Sequence, residues 1–536
     1  MGLCDSQQKN KNANTPNNNY QSNNSQLNTT ISNNKQVNGF GRETVKYFPE
    51  NTNSNKKNSL VLNNDVIIAD LGHDPERVYT KLKLIGEGTF GEVWQVRHKV
   101  LGKDFAMKII EKSPYCKTDE IKNEINILKQ LDHPNILKIL DFHITKNKFY
   151  IITDFCSEGE LYQEIKKQNV FSEAETAFVI YQLLSAIRYC HKMRVIHRDI
   201  KPENIMIVGR ENNGCLHVKL IDFGTAKIFE EGNMQKGLVG SSYYIAPEVI
   251  RRNYDESCDV WSIGVIMYIM LTGFPPFYGS DDESILNHVS TGKYDTTIES
   301  YQNLSDNAKD LITKLLKFEQ KERITARDAL NHPWFQTAEF KAVYQKVNVL
   351  SPFEAMEMFK NLEKYKSDNI IKCAALAYLV HQNTNIPQCL EATKLFNDID
   401  LNHDGKLEIH ELEHAYKKYF GLNNEDARKK SKLIFTNIDN DNNGYIEIEE
   451  FIRACINPRL FRSNNYLKFA FDYFDTDRSG SISIEEIESK FYLNAKNKNE
   501  NTKKELKKLF DTIDINHDGQ ISFEEFSIMI KDIMNT

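Results

Sequence analysis

Four twelve-residue segments near the C-terminal end constrain this chain more than anything else in it. They read DLNHDGKLEIHE, DNDNNGYIEIEE, DTDRSGSISIEE and DINHDGQISFEE, and their starts lie 39, 36 and 39 residues apart. Each carries oxygen-bearing side chains at positions 1, 3 and 5, glycine at 6 and glutamate at 12. A loop wraps a calcium ion in this order, with position 7 giving only its backbone carbonyl. The candidate ligands are Asp400, Asn402, Asp404, Lys406 and Glu411 in loop 1, and Asp439, Asp441, Asn443, Tyr445 and Glu450 in loop 2. Loop 3 offers Asp475, Asp477, Ser479, Ser481 and Glu486, and loop 4 offers Asp514, Asn516, Asp518, Gln520 and Glu525. Position 8 is Leu407, Ile446, Ile482 or Ile521, an apolar strand residue suited to pair each loop with a neighbour. Apolar flanks such as Phe396, Phe435, Phe451, Phe471, Phe474, Phe510 and Phe526 predict helices on either side of the loops.

A second constellation lies upstream. A strand-like run from Tyr79 enters IGEGTFGEV (Ile85, Gly86, Glu87, Gly88, Thr89, Phe90, Gly91, Glu92, Val93) and leaves as a second strand-like run. Strand, glycine turn, strand suits a flap over phosphates, because glycines let backbone N–H groups approach without side-chain obstruction. A dinucleotide-binding fold would place a helix after the glycines. Lys108 follows in FAMKII, and a helix-like run offers Glu120 and Glu124. Further on come HRDIKPEN (His197 to Asn204), the Asp222-Phe223-Gly224 triplet, Ala246-Pro247-Glu248, and HPWF ending at Phe335.

With these motifs in this order, the chain resembles the calcium-dependent protein kinases of plants and protists over roughly residues 75 to 536. The resemblance implies an α+β, two-lobed protein kinase fold at 79–335, a junction segment at 338–385, and a mainly α-helical, calmodulin-like domain with four EF-hands at 388–536. It implies phosphotransfer from ATP to Ser or Thr of protein substrates, with Mg2+ and Ca2+ as cofactors. Asp199 would accept the substrate hydroxyl proton, Lys201 would steady the γ-phosphate, and Asn204 and Asp222 would hold magnesium. Lys108 would contact the α- and β-phosphates and pair with Glu124, whose distance to the His133-Pro134-Asn135 turn matches the family. Thr153 would limit the adenine pocket, and Asp154 and Cys156 would bracket the hinge. Glu248 would pair with Arg323, and Ser241 would touch Asp199 and Lys201.

The resemblance also carries expectations about control. Gly237 stands where many kinases keep an activating phosphosite, so Arg198 lacks the usual phosphate partner. Glu160 and Glu203 are placed to face a basic residue upstream of the target hydroxyl. In the junction, Ser351-Pro352 followed by Glu354 reads as a helix start. Met356, Phe359, Leu362, Ile370 and Leu376 fall on roughly helical spacing. Glu354, Glu357 and Glu363 dilute the lysines, which argues against a simple basic pseudosubstrate. Calcium is expected to open an apolar groove in the EF-hands, with the junction helix of the same chain as its partner.

Composition adds bounds. The chain has 536 residues, enough for more than one core, and a net charge of -7, which argues against a general nucleic-acid binder. Nine scattered cysteines without a CxxC pair suit reduced thiols in a cytoplasmic protein. A monomer is expected. Residues 1–70 are rich in Asn, with too few apolar residues to offset the entropy of ordering, which predicts a disordered tail. Its first residues, MGLCDS, fit an acylation signal, with myristate on Gly2 and palmitate on Cys4. Two acyl chains would give stable membrane association without a spanning segment.

Overall fold

The computed structural model describes residues 74–533 and Ile68, apart from 89–90, 113–117, 212–213, 231, 349, 366–369, 385, 440–442 and 493–499. Gly2, Cys4, Thr89, Phe90 and Asp441 therefore lie outside the described residues.

The small lobe is an antiparallel sheet of β1 (Tyr79–Gly88), β2 (Gly91–His98), β3 (Asp104–Glu111), β4 (Ile139–Ile144) and β5 (Lys148–Asp154), in the order β1-β2-β3-β5-β4. Alternation sends Phe105, Met107 and Ile109 of β3 into one apolar cluster with Tyr79, Val96, Leu140 and Ile152. Helix α1 (Thr118–Gln130) buries Ile121, Ile125 and Leu128 at helical spacing, and on the same buried face Glu124.

The large lobe is mainly helical. Helix α2 is Leu161–Gln168, and α3 (Glu173–Lys192) opens with a reciprocal Ser172–Glu175 capping box. A ribbon of β6 (Ile205–Arg210) and β7 (Leu216–Leu220) carries the chain from HRDIKPEN to Asp222. Helix α4 (Ser257–Thr272) is apolar nearly all round and is accordingly enclosed, with Trp261 stacked on Phe277. Helices α5 (Asp282–Val289) and α6 (Asp306–Leu315) complete the lobe. Arg323 and Glu248 form a buried bidentate ion pair, one arm at 3.0 Å.

After α7 (Ala338–Asn348), the junction forms α8 (Pro352–Lys364) and α9 (Ile370–His381). Ser351 and Glu354 cap each other at the start of α8, with Pro352 in the first turn. The buried face of α8 differs in detail from the one read from the sequence. Ala355, Met358, Phe359 and Leu362 form it, and Met356 is only half-buried. On helix α9, Ile371, Ala374, Ala375, Leu379 and Val380 are all buried, as expected of a helix packed on more than one side.

The calcium domain comprises α10 (Pro387–Ile399), α11 (Ile409–Phe420), α12 (Asn424–Ile438), α13 (Ile448–Cys455), α14 (Asn464–Phe474), α15 (Ile484–Tyr492), α16 (Glu500–Asp511) and α17 (Phe523–Ile533). The loops join in pairs through their eighth positions. Leu407 bridges Ile446, and Ile482 lies opposite Ile521 between β8 (Ser481–Ser483) and β9 (Gln520–Ser522). The first pair holds α8, and α9 lies between the two pairs. Phe359 of α8 meets Tyr416 and Phe420, with ring centroids 4.9 and 5.4 Å away. Tyr378 of α9 stacks on Phe469 and Tyr473 at 5.0 and 4.1 Å.

Candidate active site and calcium loops

The catalytic loop is built on backbone geometry that costs energy. Arg198 has φ 72° and Asp222 φ 61°, in the left-handed region that side chains disfavour. Asp259, at the start of α4, holds the first of these in place. Its carboxylate accepts from the backbone N–H groups of His197 and Arg198 at 3.0 and 2.9 Å, and its remaining partner is His191 at 2.9 Å. Burial alone would raise its pKa, but His191 and these N–H groups outweigh burial and hold it below the usual carboxylate range. Asp259 was not singled out from the sequence. A charged residue in an apolar helix was the available signal.

This frame places Asp199 at the centre of a polar cluster. Ser241 Oγ donates to one of its oxygens at 2.9 Å, and Lys201 Nζ lies 2.9 Å from the other. Lys201 also donates to Ser241 at 2.9 Å. Asn204 Nδ2 donates to the Asp199 carbonyl at 2.8 Å and to its carboxylate at 3.2 Å. Asn204 thus uses its amide nitrogen on Asp199, not its carbonyl oxygen, the atom that suits a magnesium ion. Asp222 accepts from Gly224 N at 3.3 Å. Phe223 is fully buried against the His197 ring, 4.7 Å between centroids.

Lys108 lies on β3 opposite Val93 and Ile151, and its ammonium reaches Glu124 at 3.0 Å. Ile85, Gly86, Glu87 and Gly88 end β1, and Gly91, Glu92 and Val93 begin β2, with Gly88 opposite Gly91. Gly91 is required sterically, since a Cβ there would lie 2.0 Å from the Ile109 carbonyl oxygen. Cys156 follows the last strand, and burial pushes its thiol up to about 11, so it remains protonated at neutral pH.

Asp154 is buried, accepts from Thr384 Oγ1 at 3.0 Å, and lies 3.5 Å from Lys219 and 3.9 Å from Lys103. Burial opposes its charge, yet Lys219, Lys103 and Thr384 hold its carboxyl below its ordinary value. Thr384 belongs to the end of the junction. Beside it, Gln382 donates to the Leu140 carbonyl at 2.7 Å, and the His381 ring meets the Ile139 carbonyl at 2.9 Å. His381 also meets Glu449 at 2.6 Å, and Glu449 ion-pairs with Lys138 of the small lobe. These contacts were not foreseen. Their signal is the run HQNT, polar yet buried from His381 to Asn383, directly after an apolar helix.

In the calcium loops, each sixth-position glycine has positive φ, from 75° at Gly405 to 92° at Gly480. The twelfth-position glutamates close their loops on backbone N–H groups. Glu411 accepts from Leu401 and Glu408 at 2.9 Å each, and Glu525 from Ile515 and Ser522 at 2.9 and 2.8 Å. Glu486 does the same with Thr476 at 2.7 Å and Ser483 at 2.8 Å, and Glu450 with Glu447 at 3.3 Å. The donor sets fit a divalent cation. Oxygens of Asp475, Asp477 and Glu486 lie within 4.8 Å of one another. Burial, with Glu411 and Asp404 close by, pushes the Asp400 carboxyl up to about 8, a crowding of charge that a bound cation would relieve. Asn443 and Tyr445 flank Gly444 in loop 2, Ser479 and Ser481 flank Gly480 in loop 3, and Asn516, Asp518 and Gln520 lie on the exposed rim of loop 4. Lys406 is buried in loop 1.

Comparison with known proteins agrees with this layout. Residues 79–335 match the protein kinase domain, and residues 391–456 and 464–531 each match the EF-hand domain pair. The chain is 38% identical over 469 residues to calcium-dependent protein kinase 4 of Plasmodium falciparum (isolate 3D7), covering 85% of this chain and 87% of that protein. The same figures hold for calcium-dependent protein kinase 4 of Plasmodium berghei (strain Anka). Calcium-dependent protein kinase 5 of P. falciparum is 34% identical over 446 residues, covering 83% of this chain and 76% of the relative. Kinase fold, paired calcium loops and identity along most of the chain place it in the calcium-dependent protein kinase family, as a serine/threonine protein kinase.

Proposed function

We propose that calcium activates this kinase by making the EF-hand domain grip α8 and α9 in the arrangement described above. The observation that carries this reading is the position of α9. It is buried between the small lobe, through His381 on the Ile139 carbonyl, and the third hand, through Tyr378 on Tyr473. A junction held on the small lobe and the EF-hands in this way leaves Asp199, Lys201 and Asn204 to substrate. Without calcium the grip loosens and the junction is released to interfere with the kinase.

Within the site, Asp199 orients the acceptor hydroxyl and takes its proton. The Ser241 hydroxyl already occupies one of its oxygens at hydrogen-bond distance. Lys201 lies against the same carboxylate and carries the positive charge that suits a migrating phosphoryl group. Lys108, fixed by Glu124, holds the phosphates of ATP, and Asn204 and Asp222 hold magnesium, which neutralises charge on those phosphates. Ile85 to Val93 cover the nucleotide, and the backbone from Asp154 to Cys156 binds adenine. The calcium ligands in each loop are those at positions 1, 3, 5, 7 and 12.

The preferred substrate carries a basic residue upstream of its Ser or Thr. Among the described residues Glu203 Oε2 is buried without a hydrogen-bond partner, and burial together with Glu203 raises the Glu160 pKa. A guanidinium between the two carboxylates relieves both strains. Myristate on Gly2 and palmitate on Cys4 bring the enzyme to a membrane. No described helix is long and apolar enough to cross one. Metabolic labelling with acyl analogues, comparing wild type with Gly2→Ala, tests this last point.

The central test is a phosphorylation assay on purified protein with and without calcium. It is run beside Asp222→Ala and a Glu411/Glu450/Glu486/Glu525→Gln variant. Activity should require calcium, vanish in Asp222→Ala, and stay at the calcium-free level in the quadruple variant. Equal activity with and without calcium would remove the switch.

A further inference from the structure

Calcium loop 1 is seated on the kinase through the side chains that should bind calcium. Tyr181, Arg188, Tyr189 and Lys192 fall along one face of α3, and positions 3 to 6 of the loop lie on them. Arg188 donates to Asn402 Oδ1 at 3.4 Å, and Lys192 ion-pairs with Asp404. The His403 ring meets Tyr181 edge-on at 5.5 Å. Gly405 sits so close that a Cβ would lie 2.8 Å from Tyr189.

Loop 4 provides an internal comparison. It has the same residues at positions 1, 3, 4, 5 and 6, namely Asp514, Asn516, His517, Asp518 and Gly519. There Asn516 Nδ2 donates to Asp518 Oδ2 at 2.9 Å, within the loop, and both residues are exposed. In loop 1, Asp404 is 6% exposed and its ion-pair partner comes from the large lobe.

We infer that Lys192 and Arg188 of the kinase domain set the calcium affinity of loop 1. This rests on the proposal that loop 1 binds calcium. A lysine ammonium on a ligand carboxylate cancels part of the charge that attracts the ion, and it repels the ion once bound. Loop 1 therefore binds calcium more weakly than loop 4 while the domain is seated. The coupling is reciprocal, so calcium in loop 1 loosens the seat on α3 by the same factor. Kinase residues remote from Asp199 thereby grade the response at high calcium.

The test is calcium titration calorimetry on the full chain, with the domain kept seated by the other loops. Loop 1 is read as the difference between the four-loop chain and Glu411→Gln, and loop 4 as the difference from Glu525→Gln. Lys192→Gln should tighten calcium binding at loop 1 by about fivefold to tenfold, and Arg188→Gln/Lys192→Gln by at least as much. Lys192→Arg keeps the charge and should leave loop 1 within about twofold of the parent. None of these should change binding at loop 4. A Kd at loop 1 within about twofold of the parent for Lys192→Gln, or an equal change in both loops, would overturn the inference alone. Equal calcium stoichiometry of the four-loop chain and Glu411→Gln, with or without Lys192, would overturn it together with the assignment of loop 1 as a calcium site.

Discussion

His381 Nδ1 lies 2.6 Å from the Glu449 carboxylate, inside a contact that joins the junction helix to the second calcium hand. Glu449 directly precedes Glu450, the glutamate at position 12 of loop 2, and its backbone N–H donates to Asp132 at 2.9 Å. Asp132 in turn accepts from Lys138 at 2.9 Å. A calcium-binding loop, the junction and the turn after α1 thus share one buried polar network.

Glu449 gives both Lys138 and His381 a buried carboxylate partner, while Lys138 keeps Asp132 as a second one. Glu449→Gln should therefore destabilise the protein by about 1–3 kcal/mol, through loss of the charge-assisted bonds to Lys138 and His381. Thermal unfolding of the calcium-loaded protein should show the loss. A double-mutant cycle with His381→Ala should show coupling, whereas additive effects would mean that the pair does not act together.

The Asp199 cluster should dominate turnover. Asp199→Asn keeps the shape but removes the carboxylate that would take the substrate proton, and kcat should fall by about 10²–10⁴-fold with little change in KM for ATP. Lys108→Met should leave the protein folded and reduce phosphotransfer by a similar factor. Steady-state kinetics at saturating calcium measures both.

Activation should not need a phosphate on the activation segment. Arg198, whose phosphate partner would sit near Gly237, already bonds to the Thr225 carbonyl through Nε at 2.7 Å and approaches the Tyr254 hydroxyl at 3.4 Å. Phosphatase-treated protein should keep its calcium-stimulated rate to within about twofold. Loss of activity on treatment, restored on rephosphorylation, would contradict this.

Peptide selection should report on Glu203 and Glu160. Glu203→Gln should raise KM about tenfold for a substrate with an upstream arginine, as expected for losing one charge-assisted bond. It should have little effect on a peptide lacking that arginine. Peptide arrays and paired KM measurements give the comparison.

The contact between hinge and junction should weaken in acid. Asp154 has a folded pKa below its ordinary value, because Lys219, Lys103 and Thr384 together outweigh the effect of burial. Its contribution is therefore present above the unfolded carboxylate pKa of about 3.9 and is lost as pH falls through the lower folded value. Asp154→Asn should flatten this part of the acid unfolding curve, followed by the pH dependence of the thermal midpoint.

Local motifs made much of this legible in the sequence. HRDIKPEN, Lys108 and the loop glycines each do a job set by their immediate neighbours, and Glu124 could be chosen over Glu120 by its distance to the turn after it. Contacts between distant segments were not legible. His381, Glu449, Asp132 and Lys138 look like ordinary polar residues until the fold buries them together. The seat of Asp404 on Lys192 depends on how two domains dock, which no spacing encodes. Met356 shows the limit within a single helix: Phe359 and Leu362 lie on the buried face as their spacing suggests, but Met356 is only half-buried and Met358 takes the interior instead.

Helix α9 belongs to neither domain alone, since its side chains complete the interior of both the small lobe and the third hand. Cutting the chain at Phe335, the end of the kinase match, would strip the β4 backbone of the His381 and Gln382 partners it uses. Exchange of regulatory halves between relatives should therefore succeed when the seam is placed so that α9 travels with matching β4 and hinge residues. A seam drawn at the kinase boundary splits a single core across two proteins.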